Sequence, residues 1–249
     1  MALNLIGLGL NNEKDITIKG LEIVKKCNKV YLENYTSTLN CSKEDLEKFY
    51  NKKIVLADRK LVEKGEEILK EAKDSEVALL IVGDIFSATT HIDLMLRAKK
   101  LGIKVNLIHN ASILNAVSSL GLSLYKFGKI TSIPFENEKV ETPYDIIKNN
   151  KKINAHTLIL LDLNPEESKF MTINEAINYL KKTELKRNEK VFTDTTLVIA
   201  CSKLQSQDQI IKFGTAKEIL SYSIKKYPSC LIIPSKLHFM EEEAMEEWK

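Results

Sequence analysis

Through the first half of this 249-residue chain, short runs of branched apolar residues alternate with helical faces, and that alternation limits the possible folds more than any other feature. Leu3–Leu8, Val30–Leu32, Ile54–Leu56, Val77–Val82 and Val105–Ile108 read as strands. Between them Ile18, Leu21 and Val24, then Leu61, Ile68 and Leu69, then Ile92, Met95 and Leu96 recur at helical spacing. A strand apolar at successive positions must be covered on both faces, so the pattern predicts a mainly parallel sheet between helical layers.

The second half changes character. A helix is expected near Tyr144–Asn149, strands over Thr157–Leu163, Thr196–Cys201, Gln209–Lys212 and Cys230–Ile233, and helices over Ile173–Leu180 and Ala216–Tyr222. Strands that follow one another as closely as those within 196–212 predict a mixed or antiparallel sheet. Apolar periodicity lapses over Ile133–Glu138, and a polar connection with Pro143 follows. The chain is therefore expected to be α/β in two domains, 1–134 and 135–249, with the linker at their junction.

Composition narrows the function classes. The 44% hydrophobic content can fill a substantial core. No apolar run approaches the ~18 residues of a membrane span. The start, Met1–Leu5, lacks a basic region and reads as a core strand rather than a signal peptide, so a cytoplasmic protein is expected. Cys27, Cys41, Cys201 and Cys230 show no C-x-x-C spacing, which predicts no metal site and no disulfide framework. A net charge of +3 with 29% charged residues is too balanced for a strongly basic nucleic-acid binder. The lysines within 148–152 are expected on a solvated face.

Candidate ligand-binding residues gather where strands end. Gly7-Leu8-Gly9 closes the first strand; with Asn12 where a third glycine would stand, it is not the dinucleotide fingerprint. Asp84 follows Gly83 at the end of the most apolar strand, where α/β proteins bind ligands; it could equally cap a helix over Thr89–Leu101, as could Ser87, Thr89 or Thr90. Asn110-Ala111-Ser112 follows the strand Val105–Ile108 and leads into an amphipathic helix that stops at Gly121, with Ser112 as its N-cap. His91 and His109 are open to an acid–base or a structural reading. No G-x-S-x-G, H-E-x-x-H or P-loop is present.

Five separated blocks together resemble the diphthine synthase family, a branch of the tetrapyrrole-methylase superfamily: Leu5–Leu10, Gly83–His91, His109–Pro134, His156–Leu163 and Lys236–His238. They span nearly the whole chain in the family's order. The resemblance implies two α/β domains with the cofactor S-adenosyl-L-methionine in the interdomain cleft, S-adenosyl-L-homocysteine as its product, and a homodimer. It implies elongation factor 2 as protein substrate, with successive methylation of the amino group of its 3-amino-3-carboxypropyl-histidine. It assigns cofactor contacts to Leu10, Asp84, Ser112, Ile113 and Leu163, and main-chain contacts to Ser87, Leu204 and Ser229. Asp84 would accept from ribose hydroxyls or the methionine ammonium and lie favourably for the sulfonium.

The stretch Ser202–Gln209 aligns with the family's A-R-x-G-S-x-x-Q pattern but departs from it at three positions, Ser202, Lys203 and Gln205, and Ser229 stands where the family commonly has histidine. The short connection from Leu163 to Met171 resembles the archaeal branch, whose product is the trimethylammonium form; eukaryotic relatives also esterify the carboxylate. Methyl transfer from a sulfonium needs alignment and water exclusion more than ionisable groups, which suits the missing nucleophile motifs. Two other readings remain: a tetrapyrrole or ribosomal-RNA methyltransferase, and a non-catalytic adaptor. The acidic stretch Glu241–Trp248 is expected to be a solvated helix end.

Overall fold

A computed structural model describes residues 1–249, in two compact units. One comprises Met1–Leu114 with Pro165–Glu167; the other comprises Asn115–Asn164 with Ser168–Lys249.

The first unit contains β1 (Ala2–Gly7), β2 (Lys29–Glu33), β3 (Val55–Ala57), β4 (Glu76–Ile81) and β5 (Lys104–Ile108), ordered β3-β2-β4-β1-β5. Every pairing is parallel, as the alternation predicts. Alternate residues serve opposite faces, and both faces are dry. Leu3, Leu5, Tyr31, Val77, Leu79 and Ile81 pack with residues of helices 59–64, 66–74 and 92–100. Ile6, Val30, Leu32, Ala78 and Leu80 pack with residues of helices 18–26 and 43–50. One polar residue interrupts β1. Asn4 is buried, donates to the Val77 carbonyl at 3.0 Å, and accepts from Asn106 at 2.7 Å, so its cost of burial is offset by its bonds.

The second unit holds β6 (Thr131–Ile133), β7 (Thr157–Leu161), β8 (Leu163–Asn164), β9 (Lys169–Phe170), β10 (Leu197–Ser202), β11 (Ile210–Thr215) and β12 (Ser229–Ile233). Its main sheet runs β11-β10-β12-β7-β6, with only β6 and β7 parallel, so it is mixed as expected; β8 and β9 form a separate hairpin. Val198, Ala200, Leu231, Ile233, Ile159 and Leu161 form one apolar face beneath residues of helices 142–152 and 173–187. No helix is long and apolar enough to cross a membrane.

Three expectations need adjustment. The stretch read as a linker is held to the second sheet at its start: its first residue, Ile133, ends the edge strand β6 and pairs with Leu161, and the Phe135 N–H donates to Asp162 at 3.0 Å. The compact units accordingly differ from a division at 134/135 over residues 115–134, which bond within the second unit; the His156 N–H, for example, donates to the Lys126 carbonyl at 2.7 Å. The expected strand 157–163 breaks at Asp162, whose backbone turns away so that Leu163 pairs with Phe170 instead. Lys151 is half-buried and donates to the Val191 carbonyl at 2.5 Å; burial lowers its pKa.

Candidate functional site

In the first unit the carboxyl ends of β4, β1 and β5 lie side by side, and each delivers one of the predicted segments. The β1 and β4 ends are stitched by Gly9 and Gly83, whose backbones exchange hydrogen bonds of 3.1 and 2.8 Å. Gly83 has φ +81°, a conformation that favours glycine. A Cβ built there would stand 3.8 Å from Leu10 Cδ2 and 3.9 Å from both the Ala111 carbonyl and Ser112 Cα. The Leu10 side chain and the Ala111 and Ser112 backbone therefore border one small cradle at Gly83. Gly7 is needed for close approach: a Cβ there would meet the Gly83 oxygen at 2.7 Å and Asn110 Cβ at 2.9 Å.

Asp84 ties the cradle together. Its Oδ1 accepts from the Phe86 N–H and the Ser87 hydroxyl, both at 3.1 Å. Its Oδ2 accepts from the Asn110 N–H at 3.1 Å and faces His109 Nδ1 at 2.8 Å. Burial alone would raise the carboxyl pKa, but these donors outweigh it and hold Asp84 below the usual carboxylate range. Four donors saturate a carboxylate, so Asp84 fixes the loops after β4 and β5 against each other. It does not cap the following helix; that helix covers Ile92–Lys100, its cap position is His91, and Ser87, Thr89 and Thr90 do not cap it either. On the other side, Asn110 Nδ2 donates to the carbonyls of Gly7 (2.9 Å) and Asp15 (3.0 Å).

The segment after β5 is less helical than its sequence suggests. Ser112 Oγ accepts from the Leu114 N–H at 3.2 Å, as a cap should, but the α-helix covers only Ile113–Ala116 before tightening into a 3₁₀ turn over Val117–Leu120. Gly121 ends it at φ +91°. What this segment offers a ligand is backbone beside β1, not a helix dipole.

In the second unit Leu163, Leu204 and Ser229 also share one sheet edge: Leu163 follows the end of β7, Leu204 follows the end of β10, and Ser229 begins β12. The Ser202 hydroxyl meets Ser229 Oγ at 2.7 Å, and the Ser229 hydroxyl donates to the Lys226 carbonyl at 2.9 Å. Leu163 pairs with Phe170, whose ring stacks on Tyr227 with centroids 4.9 Å apart. Leu204 is buried between two residues of left-handed backbone, Lys203 at φ +50° and Gln205 at φ +72°. The Gln205 position is the glycine of the family pattern, which supplies the physical reason for that glycine.

Sequence reasoning missed the cluster formed by the C-terminal helix, Phe239–Glu246. Glu241 is buried, not solvated; it accepts from the Ser123 N–H (3.0 Å), the His238 N–H (2.9 Å) and Lys126, and faces His156 Nε2 at 3.3 Å. Trp248 Nε1 donates to the Leu120 carbonyl at 3.1 Å. All four cysteines are free, and burial pushes Cys27 and Cys41 up to about 11.

Residues 2–220 match the family model of tetrapyrrole (corrin/porphyrin) methylases. The diphthine methyl ester synthase of Dictyostelium discoideum is 45% identical over 269 aligned positions, covering 100% of this chain and 98% of that protein. The diphthine methyl ester synthase of Saccharomyces cerevisiae is 44% identical, covering 99% of this chain and 89% of that protein. A crystal structure of diphthine synthase superposes with a TM-score of 0.91 at 34% identity, covering 100% of this chain and 96% of that one.

Proposed function

We propose that this chain, which belongs to the tetrapyrrole (corrin/porphyrin) methylase family, is a diphthine synthase that methylates the modified histidine of elongation factor 2. Membership makes it a methyltransferase. The observation that carries the finer reading is likeness over 99–100% of the chain to enzymes named for diphthine chemistry.

S-adenosyl-L-methionine is the proposed cofactor, and its sulfonium supplies an activated methyl group. The residues present suit it. Around Gly83 lie the Leu10 side chain and the Ser112 backbone; Leu10, Ser87, Ser112 and Ile113 are the contacts proposed from this unit, and the Asp84 carboxylate holds the adjoining loops through the Phe86 and Asn110 N–H groups while placing negative charge beside a cation. Leu163 and the main chain of Leu204 and Ser229 are the contacts proposed from the second unit. S-adenosyl-L-homocysteine exchange between methylations, a homodimer and a cytoplasmic setting belong to the same proposal. Balanced charge favours a protein over an RNA acceptor.

The proposed acceptor is the amino group of the 3-amino-3-carboxypropyl chain, methylated in succession to the trimethylammonium form. A second reading adds one methyl on the carboxylate, favoured by the names of the relatives from Dictyostelium and Saccharomyces. Purified protein should be incubated with methyl-labelled S-adenosyl-L-methionine and elongation factor 2 carrying the unmethylated intermediate, and the intact mass of the factor read. Three methyl steps support amine methylation alone and four support the ester as well. Cofactor binding with no mass change turns the reading to other substrates of the family.

A further inference from the structure

On the outer surface of the first unit, helices 66–74 and 92–100 border a groove of about 450 Å³. Leu69, which is buried, and Leu101, which is half exposed, line it with carbon. Its other lining residues are five cations and one acid, Glu66, a balance of +4 where the whole chain carries +3. Outside the groove the chain is therefore close to neutral. Helical spacing explains the gathering: Glu66, Leu69, Lys70 and Lys73 recur along one face of helix 66–74 and turn to the groove. Glu67 and Glu71 fall on the other flank, where they meet the Tyr31 hydroxyl at 3.1 and 2.8 Å, and Glu71 also pairs with Lys29 at 3.6 Å.

One of the five cations is structural. Arg97 donates to the carbonyls of Lys64 and Glu63, the second at 2.7 Å, and so closes the end of helix 59–64. The side chains of Lys64, Lys70, Lys73 and Lys100 are exposed and have neither an ion pair nor a hydrogen bond. A cation in the last turn of a helix is favoured by the helix dipole, which accounts for Lys64, Lys73 and Lys100 one at a time. It does not account for Lys70, in the middle of its helix, or for four unpaired ammonium groups collected around accessible carbon. Nucleic acid fits this lining poorly: no aromatic side chain is there for a base to stack on, the one guanidinium is engaged, and Glu66 opposes a phosphate. A protein segment with carboxylates on either side of an apolar residue meets both the charge and the carbon.

We propose that this groove docks an acidic, amphipathic segment of the protein acceptor. The inference rests on the protein-acceptor reading above and adds where the acceptor is gripped. Helices 66–74 and 92–100 lead into β4 and β5, so Lys73, Lys100 and Leu101 lie toward the amino edge of the sheet, whereas the cradle at Gly83 lies at its carboxyl edge. The 6 residues of β4, at about 3.3 Å each, set the two ~20 Å apart. The groove therefore holds the acceptor without touching the reacting atoms, and its charges act on capture rather than on methyl transfer. Attraction between exposed charges is screened by ions, so capture weakens as salt rises.

The test uses the full chain, with elongation factor 2 carrying the unmethylated intermediate as the probe. Lys70→Glu combined with Lys73→Glu should raise KM for the factor at least ~10-fold at low salt, while kcat and the affinity for S-adenosyl-L-homocysteine stay within about twofold of wild type. The fall of kcat/KM with added salt should also be shallower in this variant than in wild type. Lys25→Glu combined with Lys26→Glu makes the same charge change on helix 18–26, across the sheet, and should leave KM within about twofold. An unchanged KM in the groove variant, or an equal rise in the variant on helix 18–26, overturns the inference and leaves the proposed function standing. Ribosomal RNA that inhibits wild type but not the groove variant makes nucleic acid the occupant, and a groove variant that sediments as a monomer where wild type is a dimer makes it a second copy of this chain; either result overturns the inference. A wild type that transfers no methyl to the factor overturns the proposed function along with it.

Discussion

His156 Nε2 lies 3.3 Å from Glu241 Oε1, while the Ser235 N–H donates to His156 Nδ1 at 3.0 Å, so this buried ring has a partner on each nitrogen. Burial lowers the His156 pKa more than Glu241 raises it, which keeps the ring neutral, with its hydrogen on Nε2. Burial would raise the Glu241 carboxyl, but Lys126 and the N–H groups of His238 and Ser123 bring it down to about 2. Two of the blocks that carry the family resemblance, His156–Leu163 and Lys236–His238, are thus joined by the start of the C-terminal helix.

That geometry predicts acid sensitivity. Glu241 has a folded pKa depressed from 4.5, so its stabilisation is present above pH ~4.5 and is lost as pH falls toward about 2. His156 acts in the same direction at higher pH, because below ~6.5 the unfolded chain takes a proton that the folded ring resists. Glu241→Gln should lower stability at pH 7 by about 2 kcal/mol and flatten the fall in melting temperature between pH 4.5 and 2. An unchanged acid profile measured by calorimetry contradicts the ion-pair role.

Asp84→Asn replaces an acceptor-only group by one whose amide nitrogen must face two donors. It should destabilise the protein by about 1–3 kcal/mol. It should also weaken S-adenosyl-L-homocysteine at least tenfold, because the Phe86 and Asn110 N–H groups would lose the carboxylate that holds the loops after β4 and β5 together. Retention of full affinity in a titration would remove Asp84 from the proposed cofactor site.

Gln205→Gly should stabilise the protein. A side chain at φ +72° costs about 1–2 kcal/mol, and glycine gives back less than that in unfolded-state entropy. The exposed Gln205–Ser119 bond lost in the exchange contributes little. The expected gain is about 0.5–1 kcal/mol in urea unfolding; a loss of similar size would mean that the Ser119 contact decides the loop conformation.

Glu184 accepts from the Tyr144 hydroxyl and from the N–H groups of Lys190, Val191 and Phe192, each at 2.7–2.8 Å. Glu184→Ala leaves four donors unmatched beside the buried Phe192. A loss of about 2–4 kcal/mol is expected in chemical denaturation. A loss below 1 kcal/mol would show that water replaces the carboxylate without cost.

The parallel sheet is legible in the sequence because burial on both faces writes continuous apolar runs; the observed β1, β4 and β5 lie within one residue of those runs. Asp84 and Ser112 stand out in the sequence because they follow apolar strands, whereas Leu10 and Ile113 are named only through the family resemblance. The three-residue β6 is too short to leave a period, and the β8–β9 hairpin depends on the backbone turning at Asp162. Glu241 misled the reading because charge density near a chain end looks solvated until its partners, Ser123, Lys126 and His156, arrive from far along the sequence. His91 and Glu33 are likewise separated in sequence and meet only through the pairing of β2 with β4.

The central place of β1 sets a timetable for the ribosome. Leu3 pairs with Val77 on one side and Val105 on the other, so the earliest strand of the sheet has no neighbour until β4 is made and lacks its second until β5 follows. At roughly 5–20 residues per second, Leu3, Leu5 and Ile6 wait about 5–20 s before both edges of their strand can be paired. A nascent chain that ends before β5 is complete still has β1 uncovered on one edge, which makes this interval the window in which a chaperone would find the protein.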